Sequence, residues 1–288
     1  MYLADGWKDF EIIDAGGGEK LERWGDVILL RPDPQAVWPM KTPEYFDAHY
    51  LRSSAGGGEW DFRRQLPESW TIGYRDLRFI VRPTGFKHTG LFPEQAVNWD
   101  FMRSFVEKYI KKTGKPFRVL NLFAYTGGAT AALAAAGAEV VHLDAAKGMV
   151  AWAKNNLSES GLADKPVRFI IDDAMKFVLR EKRRGREYEG ILMDPPSYGR
   201  GPTGEMWRIE EGLFPLVSAC ADLLSEEAGF FLINSYTTGL APTVVRNVLK
   251  VAVGGRGGRI EAEEIGLPIG KNGLVLPCGC TGRWWREP

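Results

Sequence analysis

Asp194 is followed by Pro195 and Pro196, with Tyr198 two residues later, directly after the apolar run of residues 191–193. Proline fixes the backbone and removes an N–H donor, so a carboxylate and a carbonyl held in such a turn can accept hydrogen bonds from a ligand. An aromatic ring beside them can stack on a flat ligand. This segment predicts a binding site at the end of a buried strand; the alternative is a strand-ending turn without chemistry.

A second candidate is the turn FAYTGG, residues 123–128, which ends in Gly127 and Gly128. Glycines allow a ligand to approach the backbone closely, and a helix beginning here would favour a carboxylate or phosphate at its N-terminus. The turn lacks the G-x-G-x-x-G pattern of dinucleotide sites and the G-K-[ST] of phosphate-binding loops, which disfavours NAD and ATP. The alternative is that the glycines serve only a tight turn.

Carboxylates end the next two strand-like runs. Asp144 lies 16 residues past Gly128, where a carboxylate can accept hydrogen bonds from both hydroxyls of a ribose. Asp173, followed by Ala174, is suited to the amino group of an adenine. Asp172 is the rival for that role because either carboxylate could face outward, and a solvated loop aspartate is the alternative for Asp144.

The elements that would position these residues alternate between helical and strand-like patterns from about Asn98 onward. The strand-like runs are FRVLNLF (117–123), EVVHLD (139–144), VRFIID (167–172), YEGILMD (188–194) and GFFLINS (229–235). Strands that are apolar on both faces and joined by crossover helices predict a doubly wound α/β fold, with ligands at the carboxyl ends of the strands. Two further runs joined by KNG predict a C-terminal antiparallel hairpin, which makes a mostly parallel seven-stranded, Rossmann-like sheet.

Residues 1–82 have a different character. Short alternating or aromatic runs separated by glycine-rich and proline-rich breaks predict a small β-rich N-terminal domain, a candidate for substrate binding, followed by the main domain at 83–288. Residues 42–54 have a helical pattern and could cap these strands.

Composition narrows the class of protein. The 288 residues are 44% hydrophobic and carry 37 basic and 37 acidic side chains, so no global charge attracts nucleic acid or membrane. No apolar segment is long enough to span a bilayer and the N-terminus does not resemble a secretion signal, so we expect a cytoplasmic protein. Three cysteines and three scattered histidines predict neither a disulfide framework nor a metal site.

Four motifs resemble a known family when taken together. In order and spacing, LNLFAYTGGAT, HLDAAKGMVAWAKNN, FIIDDAMKFV and ILMDPPSYG are similar to class I S-adenosylmethionine-dependent methyltransferases. Within that class they resemble the large-subunit ribosomal RNA methyltransferases that modify cytosine C5 or guanine N7. The resemblance begins at residues 77–99, similar to the family's strand and K-T-G-F-F-x-D-Q loop, and covers about three quarters of the chain.

The resemblance implies S-adenosyl-L-methionine as cofactor and a role for each matched residue. Residues 123–128 would surround its methionine part, Asp144 would bind the ribose, and Asp173 with Ala174 would contact the adenine edge. The upstream loop departs from the family's pattern at residues 92–95. The implied cofactor-binding residues are Thr89, Phe92, Gln95, Asn121, Phe123, Ala124, Tyr125, Thr126, Gly127, Gly128, Asp144, Ala145, Asp173 and Ala174. The implied catalytic residues are Asp194, Pro195, Pro196 and Tyr198.

The target atom follows from the residues at the strand ends. Cytosine C5 becomes nucleophilic only after a cysteine thiolate adds to C6, and that cysteine must sit at the end of the fourth or fifth strand. Cys220 falls inside a predicted helix, while Cys278 and Cys280 fall in the last hairpin. Guanine N7, which carries a free lone pair, or an exocyclic amine is therefore expected instead of cytosine C5.

A ribosomal RNA partner rests on the resemblance and on local positive charge. The segment REKRRGR, residues 180–186, holds five basic residues and one acidic residue, and Arg200 and Arg208 lie near the diproline motif. A solvated helix end is the ordinary interpretation of the basic segment. A small-molecule or protein methyltransferase, a noncatalytic S-adenosylmethionine-binding protein and, less favoured, a nicotinamide oxidoreductase are the other hypotheses. We expect no membrane or metal partner, and a monomer or a homodimer.

Overall fold

The computed structural model describes residues 1–53, 57–200, 206–237 and 239–287. Contacts between residues divide the chain into two units. The first comprises Met1–Val97 and Ile265–Cys278, and the second comprises Asn98–Glu264 and Gly279–Pro288. The boundary predicted after residue 82 falls inside the first unit and stays a prediction about where an independent domain ends.

Short strands build the first unit, as the alternating apolar pattern predicts. They are β1 Tyr2–Leu3, β2 Phe10–Gly16, β3 Glu19–Trp24, β4 Val27–Pro32, β5 Ala48–Arg52, β6 Gly58–Phe62, β7 Trp70–Tyr74 and β8 Leu77–Val81. Strands β2 to β6 form a five-stranded sheet in chain order, and β7 pairs with β8. Neighbours in the five-stranded sheet are antiparallel except β4 and β5, which are parallel. A short 3-10 helix spans Pro93–Gln95.

The helix predicted over residues 42–54 is wrong where the structure describes it. Residues 48–52 form strand β5, and Ser54 lies outside the described residues. Ala48 and Tyr50 are buried while Leu51 and Arg52 are exposed, and both neighbouring strands pair with this segment. Pairing on two sides thus overrides a weak local helical pattern, as tertiary context commonly does.

The second unit alternates strands and helices. Its strands are β9 Arg118–Leu122, β10 Glu139–Asp144, β11 Val167–Ile171, β12 Gly190–Met193, β13 Tyr198–Arg200, β14 Met206–Arg208 and β15 Phe230–Ser235. Its helices are α1 Ala96–Thr113, which begins in the first unit, α2 Gly128–Ala135, α3 Lys147–Glu159, α4 Ala174–Arg183, α5 Ile209–Ala221 and α6 Pro242–Val253, with a 3-10 turn at Gly254–Arg256. Strands β16 Arg259–Pro268 and β17 Val275–Trp285 run through both units.

The main sheet has the strand order β1-β16-β17-β15-β12-β9-β10-β11. Strands β15, β12, β9, β10 and β11 are parallel, and β17 is antiparallel to β15. The predicted α/β fold with a mostly parallel sheet and a C-terminal antiparallel pair is confirmed. The sheet has eight strands where seven were predicted, because the two-residue strand β1 adds parallel to β16.

Burial explains why the central strands are apolar at every position. All four residues of β12 and all six of β15 are buried, which a parallel sheet requires when both faces are covered. The chain reverses its direction of winding between β9 and β12, and such a reversal is where this class of sheet binds ligands. Among the helices of the described residues, none combines the length and the apolar character that crossing a membrane requires.

A buried polar cluster ties α1 to the antiparallel end of the sheet. The side-chain oxygen of Asn98 accepts hydrogen bonds from Nε and Nη2 of Arg283 at 3.0 and 2.7 Å. The amide nitrogen of Asn98 donates to Oδ1 of Asn234 at 3.0 Å, so the cluster also reaches the end of β15. The Arg283 guanidinium lies 4.6 Å from the centre of the Phe101 ring. A buried cation of this kind depends on its acceptors, because an unsatisfied charge is costly.

Replacing Asn98 tests that dependence. Asn98→Ala removes the acceptor of two guanidinium N–H groups, and we expect the free energy of unfolding to fall by about 3 kcal/mol. Urea denaturation followed by circular dichroism measures the change. Glu107→Ala, on an exposed position of the same helix, is the control and should stay within about 0.5 kcal/mol of the unsubstituted protein. Equal midpoints for the two variants would contradict the role given to Asn98.

Candidate active site

The carboxyl ends of three central strands lie in register. Leu122, the last residue of β9, pairs with Met193 of β12 on one side and with Leu143 of β10 on the other. The residues that follow these strands therefore meet at one edge of the sheet. They form the glycine turn after β9 and the diproline turn after β12, and these lie beside Asp144, the last residue of β10. The structure thus brings together the three segments that the sequence singled out.

The turn after β9 contains two non-glycine residues with left-handed backbone. The φ angles of Phe123 and Tyr125 are 55° and 50°, and Gly127 follows with a φ of 82°. A non-glycine residue in this region costs of order 1 kcal/mol and persists only where surrounding contacts enforce it. The amide of Ala124 donates to the carbonyl of Leu143 at 3.0 Å, and the amide of Tyr125 donates to a carboxylate of β10 at 2.9 Å.

That carboxylate is Asp144, which organises both sides of the turn. Its Oδ2 accepts from the amide of Tyr125 at 2.9 Å, and its Oδ1 accepts from the amide of Ala146 at 2.8 Å. Burial raises the pKa of Asp144, and the two backbone donors act in the opposite direction. Each carboxylate oxygen has a second acceptor position, so the group can still receive two hydroxyl donors. Ala145, next in the chain, is exposed.

Both glycines of the turn are required by close packing. A Cβ on Gly127 would lie 2.9 Å from the Cβ of Ala153, in addition to the strain of its positive φ. A Cβ on Gly128 would lie 2.6 Å from the indole of Trp99. Gly127 precedes helix α2 as its N-terminal cap residue, so the free amides of the first helical turn follow directly. The two glycines thus allow Ala153 and Trp99 to pack closely against the turn and the start of the helix.

A buried hydrogen-bond chain lies beneath the turn. Nδ2 of Asn121 donates to Oγ1 of Thr130 at 2.9 Å, and the same hydroxyl contacts Nδ1 of His142 at 2.9 Å. All three side chains are buried, and Nε2 of His142 has no hydrogen-bond partner among the described residues. Burial lowers the pKa of His142 to about 3, so this imidazole is neutral at physiological pH. Asn121 therefore supports the turn from below through Thr130.

The third strand end separates the two candidate aspartates. Asp172 pairs through Oδ2 with Arg180 at 2.6 Å, and its Oδ1 accepts the amide of Asp173 at 2.8 Å. Asp173 caps helix α4 by accepting the amide of Lys176 at 2.9 Å. Ala174 is buried at the start of that helix. Both carboxylate oxygens of Asp172 accept a hydrogen bond or ion pair, whereas the helix cap uses one oxygen of Asp173. The adenine role of Asp173 and Ala174 stays a prediction.

The diproline turn after β12 is anchored mainly through its carbonyl groups. The amide of Asp194 lies 3.4 Å from the carbonyl of Leu122. The carbonyl of Pro196 accepts from the indole N–H of Trp207 at 2.6 Å, and Oγ of Ser197 lies 2.5 Å from Oγ1 of Thr237. Pro195 is buried and Pro196 is exposed, so the turn presents one side to solvent.

Tyr198 begins a short hairpin that the sequence did not predict. Strands β13 and β14 pair antiparallel, and residues 201–205 between them lie outside the described residues, as does the side chain of Arg200. The Tyr198 ring is 52% exposed, and its hydroxyl contacts the sulfur of Met206 at 3.1 Å. An exposed ring beside the diproline turn is what the predicted stacking role requires, and that role stays a prediction.

Trp207 is the residue of this region that no sequence motif singled out. Its ring centre lies 5.5 Å from that of Phe123 in the glycine turn, while its N–H binds the diproline turn. A Cβ on Gly212 would lie 2.5 Å from the Trp207 ring. A glycine inside a predicted helix can indicate that another side chain packs closely against it. Gly212 is therefore the one feature of the sequence that could have pointed to Trp207.

Burial disfavours thiolate chemistry at all three cysteines. Cys280 lies opposite Ser235 in the sheet, which is nearer to a strand end than the sequence suggested. Burial raises the pKa of Cys280 to about 11, and its Sγ contacts the carbonyl of Leu240 at 3.5 Å. Burial also raises the pKa values of Cys220 and Cys278. No described group of histidine, cysteine and acidic side chains is placed to hold a metal ion.

Three predicted cofactor residues belong to the first unit. Thr89 is fully buried, and its hydroxyl has no hydrogen-bond partner among the described residues. Phe92 lies with its ring centre 5.4 Å from that of His88, and Gln95 is buried at the end of a 3-10 helix. Their assignment to the cofactor stays a prediction.

The basic segment 180–186 ends helix α4, and much of its charge is paired. Arg180 pairs with Asp172, Lys182 with Asp222 at 2.6 Å, and Arg184 with Glu181 at 3.2 Å. The ion pairs favour the interpretation as a solvated helix end.

A parallel sheet of this order, with a glycine turn and an acidic residue at its first two strand ends, defines the Rossmann-like enzymes that bind a nucleoside cofactor. The sequence profile of S-adenosylmethionine-dependent methyltransferases matches residues 44–224, and the chain belongs to this family. The acceptor capacity of Asp144 and the amides at the N-terminus of helix α2, which have no side-chain cap, fit that cofactor.

Comparison with solved structures agrees with that family. A crystal structure of an S-adenosylmethionine-dependent methyltransferase from Agrobacterium tumefaciens is 38% identical, covers 98% of this chain and 91% of its own, and has a TM-score of 0.92. A putative S-adenosylmethionine-dependent methyltransferase from Streptococcus mutans, 15% identical with a TM-score of 0.76, covers 98% of this chain and 76% of its own. At that identity the second likeness shows the fold alone.

Curated relatives match over part of their length. Ribosomal RNA large subunit methyltransferase K/L from Shewanella baltica is 30% identical over 209 residues, which are 70% of this chain and 27% of the relative. The protein of the same name from Pseudomonas aeruginosa is 35% identical over 176 residues, which are 60% of this chain and 22% of the relative. The chain therefore spans about a quarter of the length of these relatives.

The buried imidazole generates a prediction about pH. The unfolded chain protonates this histidine near pH 6.5, while the folded chain keeps it neutral to about pH 3, so its stability contribution is lost as pH falls between these values. The slope from one such group is about 1.4 kcal/mol per pH unit. We expect His142→Gln to be less stable at pH 7.5 and to lose less stability between pH 6.5 and 4.5.

Urea denaturation at a series of pH values measures this difference. His88→Gln is a second test, in the first unit: burial also lowers the pKa of His88, to about 4, so this variant should likewise lose less stability as pH falls from 6.5. A His142→Gln variant with the same pH slope as the unsubstituted protein would show that His142 takes up its proton in the folded state.

Proposed function

We propose that the protein transfers a methyl group from S-adenosylmethionine to a base of ribosomal RNA. The support for the substrate is the name of the relatives above, which match most of this chain. The observation that carries the site is the shared register of Leu122, Met193 and Leu143, because it brings the cofactor turn and the diproline turn to one edge. We further propose that the protein works in the cytoplasm and that residues 1–82 contribute to binding the substrate.

The cofactor supplies a methyl group activated by a sulfonium centre. We assign the ribose hydroxyls to Asp144 and the methionine part to residues 123–128. Asn121 does not contact the cofactor in this assignment but supports the turn of residues 123–128 through its hydrogen bond to Thr130. Because methyl transfer is a direct displacement, the protein mainly aligns the two reactants and excludes water.

The acceptor base is assigned to the diproline turn. Asp194 and the carbonyl of Pro195 accept hydrogen bonds from the base edge, and the exposed ring of Tyr198 stacks on its face. Prolines suit this task because they present carbonyl groups without competing donors. The turn thereby holds a flat, polar base against the carboxyl end of β12.

Guanine N7 or an exocyclic amine is the proposed target atom. A cytosine C5 mechanism needs a thiolate near the strand ends, and the cysteine closest to them in the sheet, Cys280, has its pKa raised to about 11 by burial. A nitrogen lone pair needs no covalent activation, and Asp194 can accept an amine hydrogen.

The separate roles proposed for Asp144 in cofactor binding and for Asp194 in turnover can be measured. Asp144→Ala should weaken S-adenosylmethionine binding at least about tenfold, since it removes charge-assisted hydrogen bonds and releases the Tyr125 amide. Asp194→Ala should lower turnover about 100-fold and leave cofactor affinity within about threefold. Calorimetry and labelled methyl transfer measure the two effects.

Asp164→Ala, an exposed aspartate of the second unit, is the control and should change neither quantity. If both site variants lose only cofactor affinity, the acceptor role of the diproline turn is wrong.

The substrate is tested by mapping labelled methyl groups in RNA. The protein should label large-subunit ribosomal RNA that lacks its native modifications, at guanine N7 or at an exocyclic amine. RNA affinity should fall steeply with salt, because phosphate contacts release counterions. Cys280→Ser should keep activity, since its thiol takes no part. Label on cytosine C5, or label only in small molecules or protein, would contradict the proposal.

A further inference from the structure

We propose that Trp207 is a positioning residue that sets the acceptor turn against the cofactor turn. It contacts the acceptor side by its indole N–H, which donates to the Pro196 carbonyl at 2.6 Å. It contacts the cofactor side by its ring, whose centre lies 5.5 Å from that of Phe123. The inference rests on the proposed function in one respect, the assignment of the diproline turn to the acceptor base.

The diproline turn needs an external support of this kind. Neither proline can donate a backbone hydrogen bond, and the amide of Asp194 is a distant 3.4 Å from its acceptor, Leu122. Pro196 and Ser197 are exposed. The carbonyl of Ser197 accepts from the Ile209 amide at 3.1 Å and its Oγ lies 2.5 Å from Oγ1 of Thr237, and these hydrogen bonds hold the end of the turn beyond Pro196. The indole bond to the carbonyl of Pro196 is short and lies at the centre of the turn. It therefore restricts the residues that would face the base.

Trp207 itself is held in one place. A Cβ on Gly212 of helix α5 would lie 2.5 Å from the ring, so the helix leaves a slot for the indole only because it has glycine there. Trp207 is also paired in the hairpin with Gly199, three residues beyond Pro196. The ring is thus fixed by the hairpin and by the helix before it contacts either turn.

The ring contact falls on a strained residue of the cofactor turn. Phe123 has a φ of 55°, a conformation that needs enforcement from its surroundings. The Trp207 ring packs against it from the acceptor side. One side chain therefore joins the two turns whose separation decides how donor and acceptor are aligned.

Alignment is what a displacement reaction requires most from the protein. A displacement of about 1 Å between the reacting groups can cost about 100-fold in rate. Loss of the indole N–H should therefore reduce turnover more than it reduces binding. This separation of kcat from KM is not expected from a residue that only stabilises the fold.

Three variants separate the two contacts. Trp207→Phe keeps an aromatic ring and removes the N–H donor. We expect kcat for methyl transfer to ribosomal RNA to fall about 10-fold to 100-fold, with KM and the S-adenosylmethionine affinity within about threefold. Trp207→Ala should lower kcat further and also weaken cofactor binding. Gly212→Ala should lower kcat in the unsubstituted protein but have no further effect in the Trp207→Ala background, where no ring remains to be displaced.

Trp284→Phe is the matched control. The indole of Trp284 also donates to a backbone carbonyl, that of Gly257 at 2.7 Å, in a part of the second unit with no proposed role in the reaction. It should lower thermal stability at least as much as Trp207→Phe and leave kcat unchanged. Equal kcat values for Trp207→Phe and the unsubstituted protein would overturn the inference. So would an effect of Gly212→Ala that persists without the tryptophan.

The activity of the unsubstituted protein on ribosomal RNA shows whether a negative result counts against this inference or against the proposed function. If it labels ribosomal RNA and Trp207→Phe does so at the same rate, the function stands and the inference fails. If it labels no RNA, the proposed function fails, and the acceptor assignment on which the inference rests fails with it.

Discussion

One register shared by three parallel strands determines where the proposed active site lies. Leu122 lies between Met193 and Leu143, so the three following segments leave the sheet at the same height. A slip of one residue in either neighbour would turn its side chains to the opposite face, where they would not fit the helices packed there, and this packing cost fixes the register. The apolar character of β12 and β15 on both faces is thus a condition for the site as well as for the core.

The site also depends on strain that the fold maintains. Left-handed backbone at Phe123 and Tyr125 would relax in an isolated turn, but the carboxylate of Asp144 binds the Tyr125 amide and holds it. Below the turn, His142 stays neutral because burial lowers its pKa, and so it can share the Thr130 hydroxyl with Asn121 without bringing a buried charge. The strained backbone of the turn and the neutral histidine beneath it therefore belong to one arrangement that shapes the proposed cofactor site.

The sequence predicts the regular alternation of strands and helices in this structure. Apolar runs, crossover helices and polar strand ends predict the parallel sheet and the segments that meet at its edge, because their pattern extends over many residues. Short-range patterns were less informative. Residues 42–54 have a helical pattern, yet pairing with β4 and β6 makes residues 48–52 a strand. The choice between Asp172 and Asp173 depends on Arg180, eight residues away, which a strand-end pattern does not include.

Trp207 shows why the remaining site residues could not be predicted. Phe123 is far from it in the sequence, Pro196 lies 11 residues before it, and the adjacent residues Met206 and Arg208 are exposed. A contact of this kind has no periodicity, and its only local trace is Gly212, whose missing side chain makes room for the ring. Motifs mark residues that touch a ligand through a fixed local geometry. A residue that holds two motifs together, as Trp207 does, acts through contacts that form only in the folded chain.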